Sequence, residues 1–121
     1  MSNAEYLNFN VDTKWPECVT TMRDQARCGS CWAFAGAGML EHRYCVANGE
    51  LVSLSTQDYV SCNVDNFGCS GGYVSGTLAY LTQHGLVPET CMPYISNNGY
   101  NTPCSYSCTD PDQEYKKYFC K

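Results

Sequence analysis

The apolar positions of the chain cluster most strongly between residues 31 and 44, where hydrophobic or small side chains occupy almost every face of a helix. A segment that is apolar nearly all round is typical of a buried helix rather than a surface helix. Ser30 precedes it as a candidate N-cap, and Asn48-Gly49 marks its expected end. The alanines and glycines between positions 33 and 38 should let neighbouring elements pack close to it.

Two shorter helices are predicted further along the chain. The sequence Ser-Thr-Gln-Asp at 55–58 resembles a helix-capping sequence and predicts a short helix that reaches about Ser61. A third helix is predicted over residues 73–84, with Gly85 as the residue that ends it.

The remaining segments are expected to be irregular. Residues 5–30 and 63–72 are rich in turn formers, and from Pro88 onward Pro, Asn, Gly, Ser and Tyr dominate. Disulfide bonds would explain how such a tail stays ordered, and the cysteines available there are Cys91, Cys104 and Cys108.

Size and charge narrow the class of protein. The chain has 121 residues, which suits one compact domain, and 44% of them are hydrophobic. The net charge of −5, with no cluster of Lys or Arg, disfavours nucleic acid and anionic membranes as partners. The longest apolar run, residues 31–40, is half of a membrane span. Residues 1–4, Met-Ser-Asn-Ala, are interpreted as a cloning scar, which leaves residues 5–121 as the domain.

Ten cysteines indicate an oxidising compartment, which means a secreted protein or one that reaches a lysosome or vacuole. A reduced zinc protein is the alternative, with Cys28 and Cys31 as half of the site. The second close pair that zinc requires is missing, since Cys62 and Cys69 lie seven residues apart. No metal and no cofactor are therefore predicted.

The segment 25–34 carries the candidate chemistry. Cys31 stands at the first turn of the buried helix, where unpaired backbone N–H groups favour the thiolate over the thiol. The same groups can hold an oxyanion once the sulfur attacks a carbonyl, and Gln25 can add a side-chain donor. Gly29 allows close backbone approach. In the alternative interpretation, Cys28 and Cys31 form a short disulfide or pack in the core.

This segment resembles the active-site segment of papain-like cysteine peptidases, whose motif reads Q-G-x-C-G-S-C-W-A-F-S. The similarity extends over almost the whole chain and is strongest to the cathepsin B-like members of that family. The further segments that carry it are Trp15-Pro16-Glu17-Cys18, Arg23-Asp24-Gln25, His42-Arg43-Tyr44-Cys45, residues 54–62, Gly68-Cys69-Ser70-Gly71-Gly72-Tyr73, Gly85-Leu86-Val87, Cys91-Met92-Pro93-Tyr94 and residues 104–108.

The resemblance implies an α+β fold class, namely the mostly helical left domain of the papain fold, stapled by disulfides and lacking the β-rich right domain. Sequence alone leaves 105 pairings open for eight cysteines. The resemblance implies four of them: Cys18–Cys45, Cys28–Cys69, Cys62–Cys104 and Cys91–Cys108. It leaves Cys31 free and Cys120 unassigned.

It also implies the site residues. Cys31 is expected to be the catalytic nucleophile of a thiol protease, and Gln25 to complete the oxyanion hole. The expected substrate-binding residues are Gly71 and Gly72, which would pair their backbone with an extended peptide, together with Trp32 and Gly29.

Neither histidine suits the general base that a cysteine nucleophile needs. His42 lies eleven residues beyond Cys31 on the same helix, or about 16 Å along its axis. His84 is placed at the end of another helix. The family's G-H-A and N-S-W motifs, which supply His and Asn, do not occur. The chain is therefore expected to be the nucleophile-bearing half of a peptidase and inactive alone. Its expected partners are peptide substrates, the missing right domain and an inhibitory propeptide.

Two departures from the family pattern carry consequences. Ala26 and Arg27 replace a Gly and a small residue, which puts some constraint on the loop that aims Gln25. Only twelve residues without His separate Cys91 from Cys104, so a cathepsin B-like occluding loop is expected to be absent or very short. The complete enzyme should then favour endopeptidase activity.

Two other functions remain open on the sequence. The chain can be a non-catalytic papain-like module that binds peptides along Gly71-Gly72. Alternatively, Cys28 and Cys31 can act as a thiol–disulfide exchanger, although no βαβ pattern precedes them.

Overall fold

The computed structural model describes residues 8–120, so the predicted scar at residues 1–4 lies outside the described residues. Four α-helices occur in this range: α1 (Val11–Lys14), α2 (Cys31–Asn48), α3 (Thr56–Cys62) and α4 (Thr77–Gln83). Short 3-10 turns cover Pro16–Cys18, Gly68–Ser70 and Ser96–Asn98. Between residues 8 and 120, β-structure is limited to the isolated bridges Leu54–Pro88 and Leu86–Tyr118.

Helix α2 is the predicted buried helix, with its predicted bounds. Its C-terminal end is set by Gly49, which adopts φ 75° and donates its N–H to the Cys45 carbonyl at 2.7 Å. Ser30 occupies the N-cap position but makes no side-chain capping bond. Gly36 is the position where close packing is needed, because a Cβ there would lie 2.5 Å from the Tyr59 ring.

The core forms where α2 meets α3, α4 and the segment that follows α4. Its fully buried large side chains include Leu40, Leu54, Tyr59, Leu81 and Leu86. Burial of this apolar surface supplies the main driving force for folding such a small domain. It also fixes α2 as the central element, against which the irregular segments pack.

Helix α3 begins as predicted. The Ser55 hydroxyl accepts a hydrogen bond from the Asp58 amide at 2.9 Å. The Asp58 carboxylate does not return to the Ser55 amide as a full capping box would require. It is fully buried and instead accepts from the Val87 amide at 3.0 Å and from Lys117 Nζ at 2.8 Å.

The predicted start of the third helix was wrong by four residues. Helix α4 begins at Thr77 rather than at residue 73, because Gly76 adopts φ 82° and breaks the helical path just before it. The predicted end holds: His84 is the C-cap, and Gly85 follows at φ 65°. A side chain at Gly85 would meet the Tyr118 carbonyl oxygen at 2.4 Å, so close packing also selects glycine there.

Four disulfides staple the irregular segments, and they are the pairs that the resemblance implies. They join Cys18 to Cys45, Cys28 to Cys69, Cys62 to Cys104 and Cys91 to Cys108. Two thiols are free in the described part of the chain: Cys31 is exposed, and Cys120 is buried in the core. No group of three potential metal ligands occurs within residues 8–120. In that same range, no helix is long and apolar enough to cross a bilayer.

Candidate active site

Cys31 is the first residue of α2, and its thiol is exposed and unbonded. The amides of Ala33 and Phe34 both donate to the Ser30 carbonyl, at 2.9 and 3.0 Å. The amides of Cys31 and Trp32 have no such partner among the described residues, which leaves two donors beside the sulfur. A free thiol and unpaired donors therefore share the same helix terminus.

The segment 25–30, here called the nucleophile loop, is anchored to the segment that follows α3. The Cys28–Cys69 bond joins the two covalently, and the Gly29 amide donates to the Cys69 carbonyl at 2.9 Å. A Cβ on Gly29 would lie 2.6 Å from that oxygen, so only glycine permits this approach. The Gly29 amide is thus engaged within the protein; its predicted contact with substrate stays a prediction.

Gln25 is held at the other end of the nucleophile loop. Its side-chain amide donates to the Cys28 carbonyl at 2.8 Å, and its second N–H has no partner in the described range. The next residue, Ala26, is the one non-glycine residue between 8 and 120 with a positive φ, at 55°. It stands where the family has Gly, so the loop keeps the left-handed turn despite the Cβ.

Trp32 lies largely inside the core, and its predicted contact with substrate stays a prediction. Its side chain is only 2% exposed and packs edge-to-face on Tyr59, with ring centroids 5.0 Å apart. The indole N–H donates to the Gly68 carbonyl at 3.1 Å. A Cβ on Gly72 would lie 2.8 Å from the Trp32 ring. Trp32 therefore supports the glycine segment from beneath, because the core encloses the ring.

Gly71 and Gly72 differ in what they leave available. Gly71 adopts φ 114°, and its carbonyl accepts from the Phe67 amide at 3.0 Å. Gly72 makes no hydrogen bond through its own amide or carbonyl to any described residue. The adjacent Tyr73 amide is bound by Asn66 Oδ1 at 2.7 Å, so Gly72 is the one of the two glycines whose amide and carbonyl are both free of bonds to described residues.

Neither histidine approaches Cys31. His42 Nδ1 lies 3.1 Å from the Cys18 carbonyl oxygen, and its ring packs against Trp15. His84 caps α4, and its ring lies 4.7 Å from that of Tyr80. Both therefore have structural contacts of their own, far from the start of α2.

Sequence reasoning missed a charged network behind the site. Arg23 Nη1 contacts Glu89 Oε2 at 3.1 Å, and Nη2 contacts Glu41 Oε1 at 3.3 Å and Thr56 Oγ1 at 2.9 Å. The Leu54 amide also donates to Glu41, at 2.8 Å. Burial raises the pKa of both Glu41 and Glu89, and Arg23 and the backbone donors oppose that rise. The available signal in the sequence was Glu41, which is the one carboxylate in the helix and directly follows its long apolar run.

The buried Glu41 predicts that stability depends on pH. Its pKa lies above the ordinary value of 4.5 because burial penalises the carboxylate, so the folded state binds this proton more tightly than the unfolded state. That contribution is fully present below the unfolded pKa and is lost as pH rises through the folded pKa. The free energy of unfolding of the wild type, minus that of Glu41→Gln, should therefore fall between pH 4 and pH 7 in urea titrations.

Glu50 provides the matched control for this measurement, because its side chain is exposed just beyond the end of α2. The pH-dependent change for Glu41→Gln should exceed that for Glu50→Gln. Equal changes for the two variants would contradict the assignment to burial.

Comparison with known proteins agrees with this geometry. The sequence profile of the papain family of cysteine proteases matches residues 7–120. The chain is 43% identical over 89 residues to cathepsin B of Dictyostelium discoideum, which covers 72% of this chain and 29% of that protein. It is 37% identical over 115 residues to cathepsin B-like CP1 of Giardia intestinalis, covering 91% and 38%.

A solved structure gives the same result for the fold. Procathepsin B S9 of Trypanosoma congolense superposes with a TM-score of 0.81 at 25% identity, covering 98% of this chain and 44% of that one. The chain thus spans less than half the length of each of these relatives. Its helices and four disulfides correspond to the N-terminal left domain of the papain fold, and the sequence-based resemblance is confirmed. The chain belongs to the papain family of cysteine proteases.

Proposed function

We propose that this chain is the nucleophile-bearing part of a cysteine endopeptidase, and that Cys31 is its nucleophile. The observation that carries the proposal is an exposed free sulfur at the N-terminus of α2, while eight other cysteines are paired. The Gln25 side-chain amide is bound to the carbonyl of Cys28, three residues before Cys31.

The reaction uses these groups in order. The Cys31 thiolate attacks the scissile carbonyl carbon, a C–S bond forms, and the carbonyl electrons move to oxygen. In this proposal the amide of Cys31 and the second N–H of Gln25, neither of which has a partner among residues 8–120, stabilise that oxyanion. The C–N bond then breaks, the amine leaves with a proton from a general acid, and water hydrolyses the thioester.

The general base must come from polypeptide beyond residues 8–120, because His42 and His84 have other contacts. An apolar groove of about 620 Å³ between α2 and α4, lined in part by Met39, Val74 and Leu78, offers such polypeptide a surface to bury. We propose that a further, right domain supplies the base, and that the 121-residue chain alone is inactive. Left uncovered, the groove favours self-association.

Gly72 provides the binding mode for the substrate. Its free amide and carbonyl can pair with the backbone of an extended peptide, a form of strand addition that does not depend on side chains. We propose peptide and protein substrates, an inhibitory propeptide, and a lysosomal, vacuolar or secreted location. The four disulfides support an oxidising route, and no metal or other cofactor enters the proposed reaction.

The structure weakens the thiol–disulfide exchanger as an alternative. Exchange through Cys28 and Cys31 requires a bond between them, whereas Cys28 is bonded to Cys69. A non-catalytic binding module would use the same Gly72 edge. A peptidyl epoxide, which is an electrophile attached to a short peptide, distinguishes the binding module from the peptidase. If the complete gene product is a peptidase, this inhibitor should label Cys31 far faster than iodoacetamide does. Equal rates would favour the binding module.

The complete enzyme is expected to prefer internal peptide bonds. The segment after Cys91 is short and bound to the site's own loops: the Asn97 carbonyl accepts from the Arg27 amide at 3.1 Å, and Asn101 Oδ1 accepts from the Cys69 amide at 2.8 Å. So tethered, it offers no free insertion to block the cleft. The measurement compares kcat/KM for a peptide blocked at both ends with kcat/KM for release of a C-terminal dipeptide. A preference for dipeptide release would contradict the expected endopeptidase activity.

A further inference from the structure

One hydroxyl group ties both ends of the nucleophile loop. Tyr94 Oη donates to the Gln25 carbonyl at 2.7 Å and lies 2.9 Å from Ser30 Oγ. A phenol has one proton, and here that proton goes to Gln25, so Ser30 must donate to Tyr94. Ser30 is fully buried, which makes this second bond costly to lose. The Tyr94 oxygen therefore links the first and last residues of the nucleophile loop, Gln25 and Ser30.

Tyr94 is itself held in place from two sides. Its ring packs edge-to-face on Phe34 in α2, with centroids 5.0 Å apart. Its backbone amide donates to Glu89 Oε1 at 3.0 Å, and the other oxygen of Glu89 is bound by Arg23. The Arg23 guanidinium also lies 5.2 Å from the Phe34 ring centroid. The hydroxyl is thus fixed relative to α2 and therefore relative to Cys31.

The loop needs such a restraint because of Ala26. A residue with a side chain at φ 55° persists only where surrounding contacts enforce it. The Tyr94 hydroxyl bonds to the backbone carbonyl of Gln25, the residue directly before Ala26. The Ala26 and Arg27 amides are held by Asp24 Oδ1 at 2.7 Å and by the Asn97 carbonyl at 3.1 Å. Loss of the Tyr94 bond therefore releases the Gln25 end of the loop and lets its side chain change direction.

We propose that Tyr94 is a positioning residue, which acts through Gln25 to direct that side chain at the oxyanion formed by Cys31. The proposal rests on the proposed peptidase function. It assigns Tyr94 no contact with the substrate: its effect falls on the transition state, where the Gln25 donor is used.

The test is Tyr94→Phe in the complete gene product, which removes only the hydroxyl. We expect kcat to fall about 10- to 100-fold, because a small displacement of the Gln25 N–H weakens its hydrogen bond to the oxyanion in the transition state. KM should stay within about twofold, since the binding edge at Gly72 is untouched. Tyr106→Phe is the control: Tyr106 is 79% exposed, and its hydroxyl has no hydrogen-bond partner among the described residues.

The same substitution in a Gln25→Ala background decides between positioning and general structural damage. If Tyr94 acts through Gln25, its removal there should change kcat less than about twofold. An equal loss in both backgrounds, or a loss that appears in KM, would overturn the proposal.

A spectroscopic measurement on the 121-residue chain keeps this proposal separate from the function it rests on. In ¹H–¹⁵N spectra, the Gln25 side-chain amide signals should shift in Tyr94→Phe and not in Tyr106→Phe. Unchanged Gln25 signals would overturn the proposed positioning, whatever the activity. A wild-type gene product that neither cleaves peptides nor reacts with the peptidyl epoxide would instead remove the proposed peptidase function.

Discussion

Replacing Cys31 with alanine is expected to reduce kcat/KM of the complete gene product toward peptides by at least about 10⁴-fold. The substitution removes the atom that forms the covalent bond and leaves the oxyanion donors, which explains why some rate over water can remain. The thiol is exposed, so the shorter side chain creates no cavity and should not lower stability. Hydrolysis of an internally quenched peptide by equal amounts of folded protein measures the effect.

Cys120 supplies the matched control for this experiment, because it is the other free thiol and lies buried in the core. Cys120→Ala should lower the unfolding temperature through lost packing, while kcat/KM of the folded protein stays close to wild type. The 121-residue chain with Cys31 intact should hydrolyse none of the peptide, since both of its histidines, His42 and His84, are engaged in other contacts. Peptide cleavage that survives in Cys31→Ala would show that another group is the nucleophile.

The helices that were predicted well are those whose ends depend on local chemistry. Gly49 ends α2 and Ser55 caps α3 through bonds to residues three or four positions away, which the sequence displays directly. The start of α4 was misjudged because the apolar spacing of Val74, Leu78 and Leu81 continues the helical pattern upstream of its true start. The left-handed conformation of Gly76, which separates them from the helix, follows from the fold around it.

The site shows the same division between local and distant determinants. Cys31 and Gln25 belong to one short segment with a recognisable motif, and a sequence places them together. The atoms that fix this segment come from far along the chain: Tyr94 is 69 residues from Gln25, and Glu89 is 66 from Arg23. No periodicity relates such pairs, so only the folded chain reveals them. The burial of Trp32 is a further example, because it depends on Tyr59 and Gly72.

Removing the Cys28–Cys69 bond, by replacing both residues with alanine, is expected to impair stability and catalysis together. The bond closes a loop with a sequence separation of 41, and its loss should lower the free energy of unfolding by about 4 kcal/mol. It also joins the nucleophile loop to the segment that carries Gly72. Without it, two hydrogen bonds remain to hold Cys31 beside the Gly72 segment: Gly29 to Cys69, and the Trp32 indole to the Gly68 carbonyl. We expect kcat/KM per folded molecule to fall about 10- to 100-fold.

Removal of the Cys91–Cys108 bond is the control that distinguishes the effect on stability from the effect on catalysis. It closes a shorter loop, with a sequence separation of 17, and its removal should cost about 3 kcal/mol. Its cysteines do not belong to the nucleophile loop or to the Gly72 segment, so kcat/KM of the folded fraction should change little. Urea unfolding and peptide hydrolysis, measured below the unfolding transition, compare the two double variants. If both lose activity only in proportion to their unfolded fraction, the Cys28–Cys69 bond has no role in aligning the site, and the hydrogen bonds of Gly29 and Tyr94 suffice to hold the loop.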